Sequence, residues 1–183
     1  MAIETYLIAV DRNGQLLTSE SQINPTGIVD PLPNRPDLNG GLFEIENFST
    51  DMAQSVTIGG PTGGGGGGGK VTFNPLRITR NIDKQSPTLF LDLCQSTPLK
   101  YVDILQRKAG AGTGGTSQVF LVRGFGTVLL SELSWSYDEE AATESITLQY
   151  GEVWIAYRAQ NPDGSMGQWI IKGWNRITNT PEP

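Results

Sequence analysis

Along most of the chain, apolar and polar residues alternate in short runs separated by turn-forming residues, the period of strands with one face in a core and one in water. This alternation, enriched in β-branched and aromatic residues, predicts strands at residues 5–10, 42–48, 56–58, 71–79, 101–108, 118–123, 128–134, 145–157 and 168–174. Asn13-Gly14, Asp163-Gly164 and the glycine runs punctuate them as turns. One segment, at about residues 86–96, carries a helical pattern instead. Ser86 is placed to cap it, Pro87 suits its first turn, Leu89, Phe90 and Leu93 share a face, and Pro98 stops it. Cys94 is expected there as a small buried hydrophobe rather than a reactive thiol.

Two stretches fit neither period. Residues 22–41 hold four prolines (Pro25, Pro31, Pro33, Pro36) and three glycines, and loops this long inside a domain are usually functional or disordered. Residues 59–69 include seven consecutive glycines, read as a flexible solvent loop. No internal repeat is evident. With 183 residues, 37% of them hydrophobic, the chain suits one domain spanning residues 1–183, and 23 glycines favour a turn-rich β architecture.

Charge and rare residues then narrow the chemistry. The formal charge is −6, and the 13 Lys and Arg residues are spread along the chain, so nucleic acid is not an expected partner. No apolar run approaches the roughly 20 residues of a membrane helix, so no membrane insertion is expected. Met1 to Thr5 lacks the basic-then-apolar pattern of a signal peptide, which predicts accumulation in the cytoplasm and export by another route. Cys94 is the lone cysteine and histidine is absent. Ser-His and Cys-His nucleophile pairs and histidine metal sites are therefore excluded, and no catalytic residue, cofactor or metal is expected.

Three motifs invite chemistry and are better read as structure. Gly64 to Lys70 has the spacing of a phosphate-binding loop, but Val71 stands where Ser or Thr must ligate magnesium, and a strand follows where a helix is needed. Gly110-Ala111-Gly112-Thr113-Gly114-Gly115 has dinucleotide-loop spacing but is followed by another strand, so a hairpin turn is expected. Asp138-Glu139-Glu140 is read as a solvated turn, because adjacent carboxylates diverge. Trp135, Trp154, Trp169 and Trp174 lie in or beside strands, where aromatic residues usually pack inward.

Ile78 to Leu89, reading ITRNIDKQSPTL, resembles the strand-to-helix passage of the haemolysin-coregulated protein (Hcp) family, aromatic-T-(K/R)-x-(I/L)-D-K-x-S-P. Other blocks follow in the family's order: Leu105 to Gly110 resembles a strand ending in R-K-A-G, and Glu144 to Tyr150 resembles E-x-(V/I)-T-L-x-(F/Y). The turn from Gln160 to Gly164 and the closing Gly173-Trp174-Asn175 come next. Glu20-Ser21 and Glu44-Ile45-Glu46 are weaker echoes of the first strands, and Ser19 replaces the glycine usual before Glu-Ser.

The resemblance implies two packed antiparallel sheets in a barrel-like, mostly β domain with one short helix on the side. It further implies a structural role without catalysis. Six copies would close into a ring, and rings would stack into the inner tube of a type VI secretion apparatus. A contractile sheath would surround that tube, with a spike protein and baseplate at its end, and contraction would expel it to deliver effector proteins to target cells. The alternative reading is a tube protein of a related phage-tail-like contractile injection system. In either, the site is the subunit's own surface. The long loop is expected to contribute to ring stacking through the apolar residues Ile28, Val29, Leu32 and Leu38 and the charged residues Asp30, Arg35 and Asp37.

Overall fold

The computed structural model describes residues 3–23, 28–38, 40–57, 67–108 and 118–182. Strands dominate: β1 (Ile3–Val10), β2 (Phe43–Glu44), β3 (Asn47–Ser49), β4 (Met52–Ala53), β5 (Val56–Thr57), β6 (Gly67–Gly68), β7 (Thr72–Phe73) and β8 (Leu76–Asn81) precede the helix α1 (Ser86–Gln95). After it come β9 (Leu99–Lys108), β10 (Gln118–Tyr137), β11 (Ala142–Tyr157), β12 (Ile170–Asn175) and β13 (Thr180–Glu182). Nine of them form one antiparallel sheet in the order β13-β12-β11-β10-β9-β1-β2, with β8 added along the first half of β11 and β3 beyond β8.

The two layers that the resemblance implies are the two halves of this continuous sheet. β11 pairs with β8 through residues 143–148 and with β12 through residues 152–157, so the long β10–β11 hairpin belongs to both layers. It changes direction between them. Thr127 takes a left-handed φ of 51°, and the register shifts between Leu130 and Glu132, where Ser131 is extra. Leu76 and Ile78 of one layer thereby meet Leu7, Val102 and Ile104 of the other in a shared core, closed by Leu89 of α1. The result is an open, barrel-like wrap.

The predicted strands lie where expected, with differences that have local causes. Residues 118–123 and 128–134 are one strand, because Gly124 and Gly126 do not turn the chain. They make room: a Cβ on Gly124 would sit 2.2 Å from Leu32 Cδ1, and one on Gly126 would meet Glu152 and Trp154. Residues 71–79 are divided into β7 and β8 at Asn74-Pro75, and residues 42–48 into β2 and β3. In α1, Gln85 and not Ser86 is the N-cap residue, since the Ser86 hydroxyl is turned inward. The helix ends at Ser96, left-handed at φ 53°, with the Thr97 amide donating to the Asp92 carbonyl. Only Ser86 and Leu89 are buried in α1. Phe90 and Cys94, one turn apart, share the outer stripe, so Cys94 is exposed rather than buried and Phe90 leaves the expected face.

The motif readings resolve with the strands. Lys70 is followed by β7, not by a helix. Residues 109–117 lie outside the described residues, but their flanks pair with Lys108 opposite Gln118, as a hairpin requires. Asp138 caps the β10–β11 turn, its Oδ1 accepting the amides of Glu140 and Ala141.

Candidate assembly surface

Two buried polar clusters set the surface that the subunit presents. The first lies under α1. Arg80, nearly inaccessible on β8, donates from Nη2 to Glu144 Oε1 at 2.6 Å and from Nη1 to Asp83 Oδ2 at 3.0 Å. Ser86 donates to the same Glu144 oxygen at 3.0 Å, and its hydroxyl accepts the Asp83 amide at 3.1 Å. The guanidinium also stacks on Phe43. From the opposite side, Glu20 Oε1 accepts the Lys84 amide at 3.1 Å and Gln85 donates to the Thr18 carbonyl at 3.0 Å. Arg80, Asp83 and Ser86 of one sequence block thus meet Glu144 of another, and these motif residues fix the helix to the sheet.

The second cluster fastens the long loop. Residues 28–38 lie as a strap across the face of β1, β9, β10 and β11 that points away from the main core. Ile28 and Leu32 are buried there against Tyr6, Ile8, Leu105, Val122, Trp154 and Ala156. Arg35 reaches down to the fully buried Asp103 with a two-pronged contact, Nε to Oδ2 at 2.7 Å and Nη2 to Oδ1 at 2.8 Å, while lying 3.7 Å over the Tyr101 ring. Asp30 Oδ1 accepts the Leu32 amide at 3.0 Å, and its Oδ2 is buried with no donor. Burial first, and then the neighbouring Asp103 charge, push the Asp30 carboxyl up to about 8.

The seven loop residues named from sequence therefore divide. Ile28 and Leu32 are spent in the subunit's own core, Asp30, Arg35 and Leu38 are half-buried against it, and Val29 and Asp37 face outward. Sequence reasoning passed over Asp103 and Gly124, which receive the strap. A signal existed: Asp103 is a lone charge within Val102-Asp103-Ile104-Leu105, an apolar run of the kind that marks a strand covered on both faces.

Elsewhere the surface offers strand edges and apolar side chains. Residues 129–137 of β10 pair with β11 on one side and have no strand partner on the other among the described residues. Around this edge Phe90, Leu91, Trp135 and Tyr137 are exposed, with the Phe90 and Trp135 rings 5.9 Å apart. Trp135 was expected inward; its indole instead lies over the rim of the first cluster, its Nε1 3.4 Å from Glu144 Oε2. A second exposed apolar group, Ile155, Tyr157 and Ile170, continues past the core on β11 and β12. Among the described residues no three His, Cys, Asp or Glu side chains gather as a metal site, and no helix is long and apolar enough to cross a membrane.

Comparison with known proteins agrees with this fold. The family model described as "Type VI secretion system effector, Hcp" matches residues 38–157. The chain is 36% identical over 110 residues to "Protein hcp1" of Pseudomonas aeruginosa, a match covering 58% of this chain and 65% of that protein. Among solved structures, "Structure of a type six secretion system protein" has a TM-score of 0.75 at 22% identity, covering 99% of this chain and 100% of that one. Hcp1 of Salmonella typhimurium has a TM-score of 0.68 at 19% identity, with both chains covered completely.

Proposed function

Because this chain belongs to the Hcp family of type VI secretion proteins, we propose that it is, as a single domain, the subunit of the secretion tube. Six copies close into a ring, and rings stack into a tube that accumulates in the cytoplasm within a contractile sheath. Contraction then expels the tube with its spike and effectors. The role is structural rather than catalytic. The observation that carries this reading is the family match over residues 38–157, whose motif residues hold α1 against the sheet beside the stretch of β10 that lacks a second strand partner among the described residues.

An unpaired edge flanked by exposed aromatic residues is a liability in a lone subunit, and closure of a ring covers it. In the stacking direction the strap offers Val29 and Asp37, the members of its sequence-named set that face outward. Its buried members act by holding it in place.

Charge governs how rings meet. At −6 per subunit a ring carries 6 × −6 = −36, so stacked faces repel at long range. Salt shortens the reach of that repulsion from about 30 Å at 0.01 M to about 8 Å at physiological strength. Sedimentation velocity should therefore show a species near 6 × 19.8 ≈ 119 kDa at low salt, shifting to longer stacks as salt rises. A monomer at every salt and protein concentration defeats the ring. Longer stacks at low salt than at high salt would mean that specific ion pairs dominate the ring faces.

A further inference from the structure

The strap's fastening contains two carboxyl groups and one guanidinium. Asp103 is completely buried and takes both prongs of Arg35, so that pair is electrically closed. Asp30 feels the charge of that same Asp103, yet the one guanidinium there is already taken among the described residues, and Asp30 Oδ2 receives no donor. A buried carboxylate without a counter-charge is costly, whereas a neutral carboxylic acid there donates its proton to Asp103. We propose that the strap of residues 28–38 is a proton-operated latch: one proton between Asp30 and Asp103 holds it on the sheet, and its loss favours release.

The surrounding groups support a local device. Facing Asp30 are Asp103 from β9 and Arg35 from the strap; Tyr101 of β9 and Glu152 of β11 lie near the Arg35 charge. Directly beneath, Gly124 leaves a socket whose missing Cβ would lie 2.7 Å from Asp103 Oδ1 and 3.0 Å from Arg35 Nη2. The backbone is shaped to receive this cluster. Release would uncover the apolar face of Tyr6, Ile8, Val122 and Trp154 and free Ile28 and Leu32, changing the face that carries Val29 and Asp37.

The direction follows from linkage. Asp30 binds its proton more tightly when the strap is docked, with the value raised from 3.8 to about 8. Docking is therefore strongest below the lower value and weakens as pH rises towards the upper one, by up to tenfold in the opening equilibrium per pH unit. Above about 8 the group is ionised in both states and the dependence levels off. Acid tightens the latch; alkali slackens it.

Native-state amide hydrogen exchange from about pH 5 to about pH 7.5 tests this on the intact protein. The Leu32 amide, which donates to Asp30, is followed in the unmodified protein and in Asp30→Asn, against the hydroxide dependence of a free amide as the baseline. Leu32 exchange should gain up to an extra tenfold per pH unit over that baseline. In Asp30→Asn, which keeps the size and neutrality of the protonated acid, that excess should vanish and the strap stay protected throughout. A Leu32 profile that follows hydroxide alone in the unmodified protein, or an excess that survives in Asp30→Asn, would overturn the latch.

Discussion

Replacing Glu144 by alanine is expected to destabilise the subunit by about 3–5 kcal/mol, the range for removing one partner of a buried ion pair. Glu144 is wholly inaccessible and Arg80 nearly so, so the substitution leaves a guanidinium buried with Asp83 as its remaining carboxylate. It also removes the acceptor of the Ser86 hydroxyl, through which α1 is pinned to β11. Urea unfolding followed by circular dichroism measures the change, with the linear slope unchanged if the transition stays two-state. The indole of Trp135 is a useful contrast: its contact with Glu144 is long and its ring exposed, so Trp135→Phe should shift stability by well under about 1 kcal/mol. A Glu144→Ala loss no greater than the Trp135→Phe loss would mean that the motif residues do not anchor the helix.

Arg35→Ala is expected to cost a similar amount, about 3–5 kcal/mol, for a different reason. It strands Asp103 at zero exposure beside Asp30, placing two acids together with no cation between them. It also strips the guanidinium from the Tyr101 and Trp154 rings. The compensating double variant Arg35→Met with Asp103→Leu removes both charges and should recover much of the loss, since apolar replacement of a buried pair is often neutral or stabilising. Thermal unfolding of the single and double variants reads this directly. If Arg35→Ala unfolds like the unmodified protein, the strap is not held as described, and the latch that depends on it goes too.

These two clusters mark where the sequence was legible. Alternation located the strands because one face of each is buried and the other wet, and Ser86-Pro87 located the start of α1 to within a residue. The resemblance blocks contain Arg80, Asp83, Ser86 and Glu144, although only the fold shows that Arg80 and Ser86 converge on one Glu144 oxygen, with Asp83 bound to both of them. The strap was half legible. Its apolar and charged residues announced contacts to be made, but local pattern cannot say whether the partner is another subunit or the chain's own sheet. That depends on the sheet's second face being apolar, which Asp103 within its hydrophobic run hinted at. Gly124 and Gly126 misled for the same reason: a glycine that turns the chain and one that admits a neighbour look identical in sequence. Cys94 and Trp135 were misplaced because α1 buries only a narrow stripe and β10 runs on past the core into solvent.

A subunit that closes into rings is large enough to be seen directly. Negative-stain electron microscopy of the purified protein, at micromolar concentration and physiological salt, tests that closure most directly. Six-fold rings with an open centre are expected, some of them stacked end to end into short tubes. Fields of single compact particles without a lumen, at every concentration tried, would contradict it.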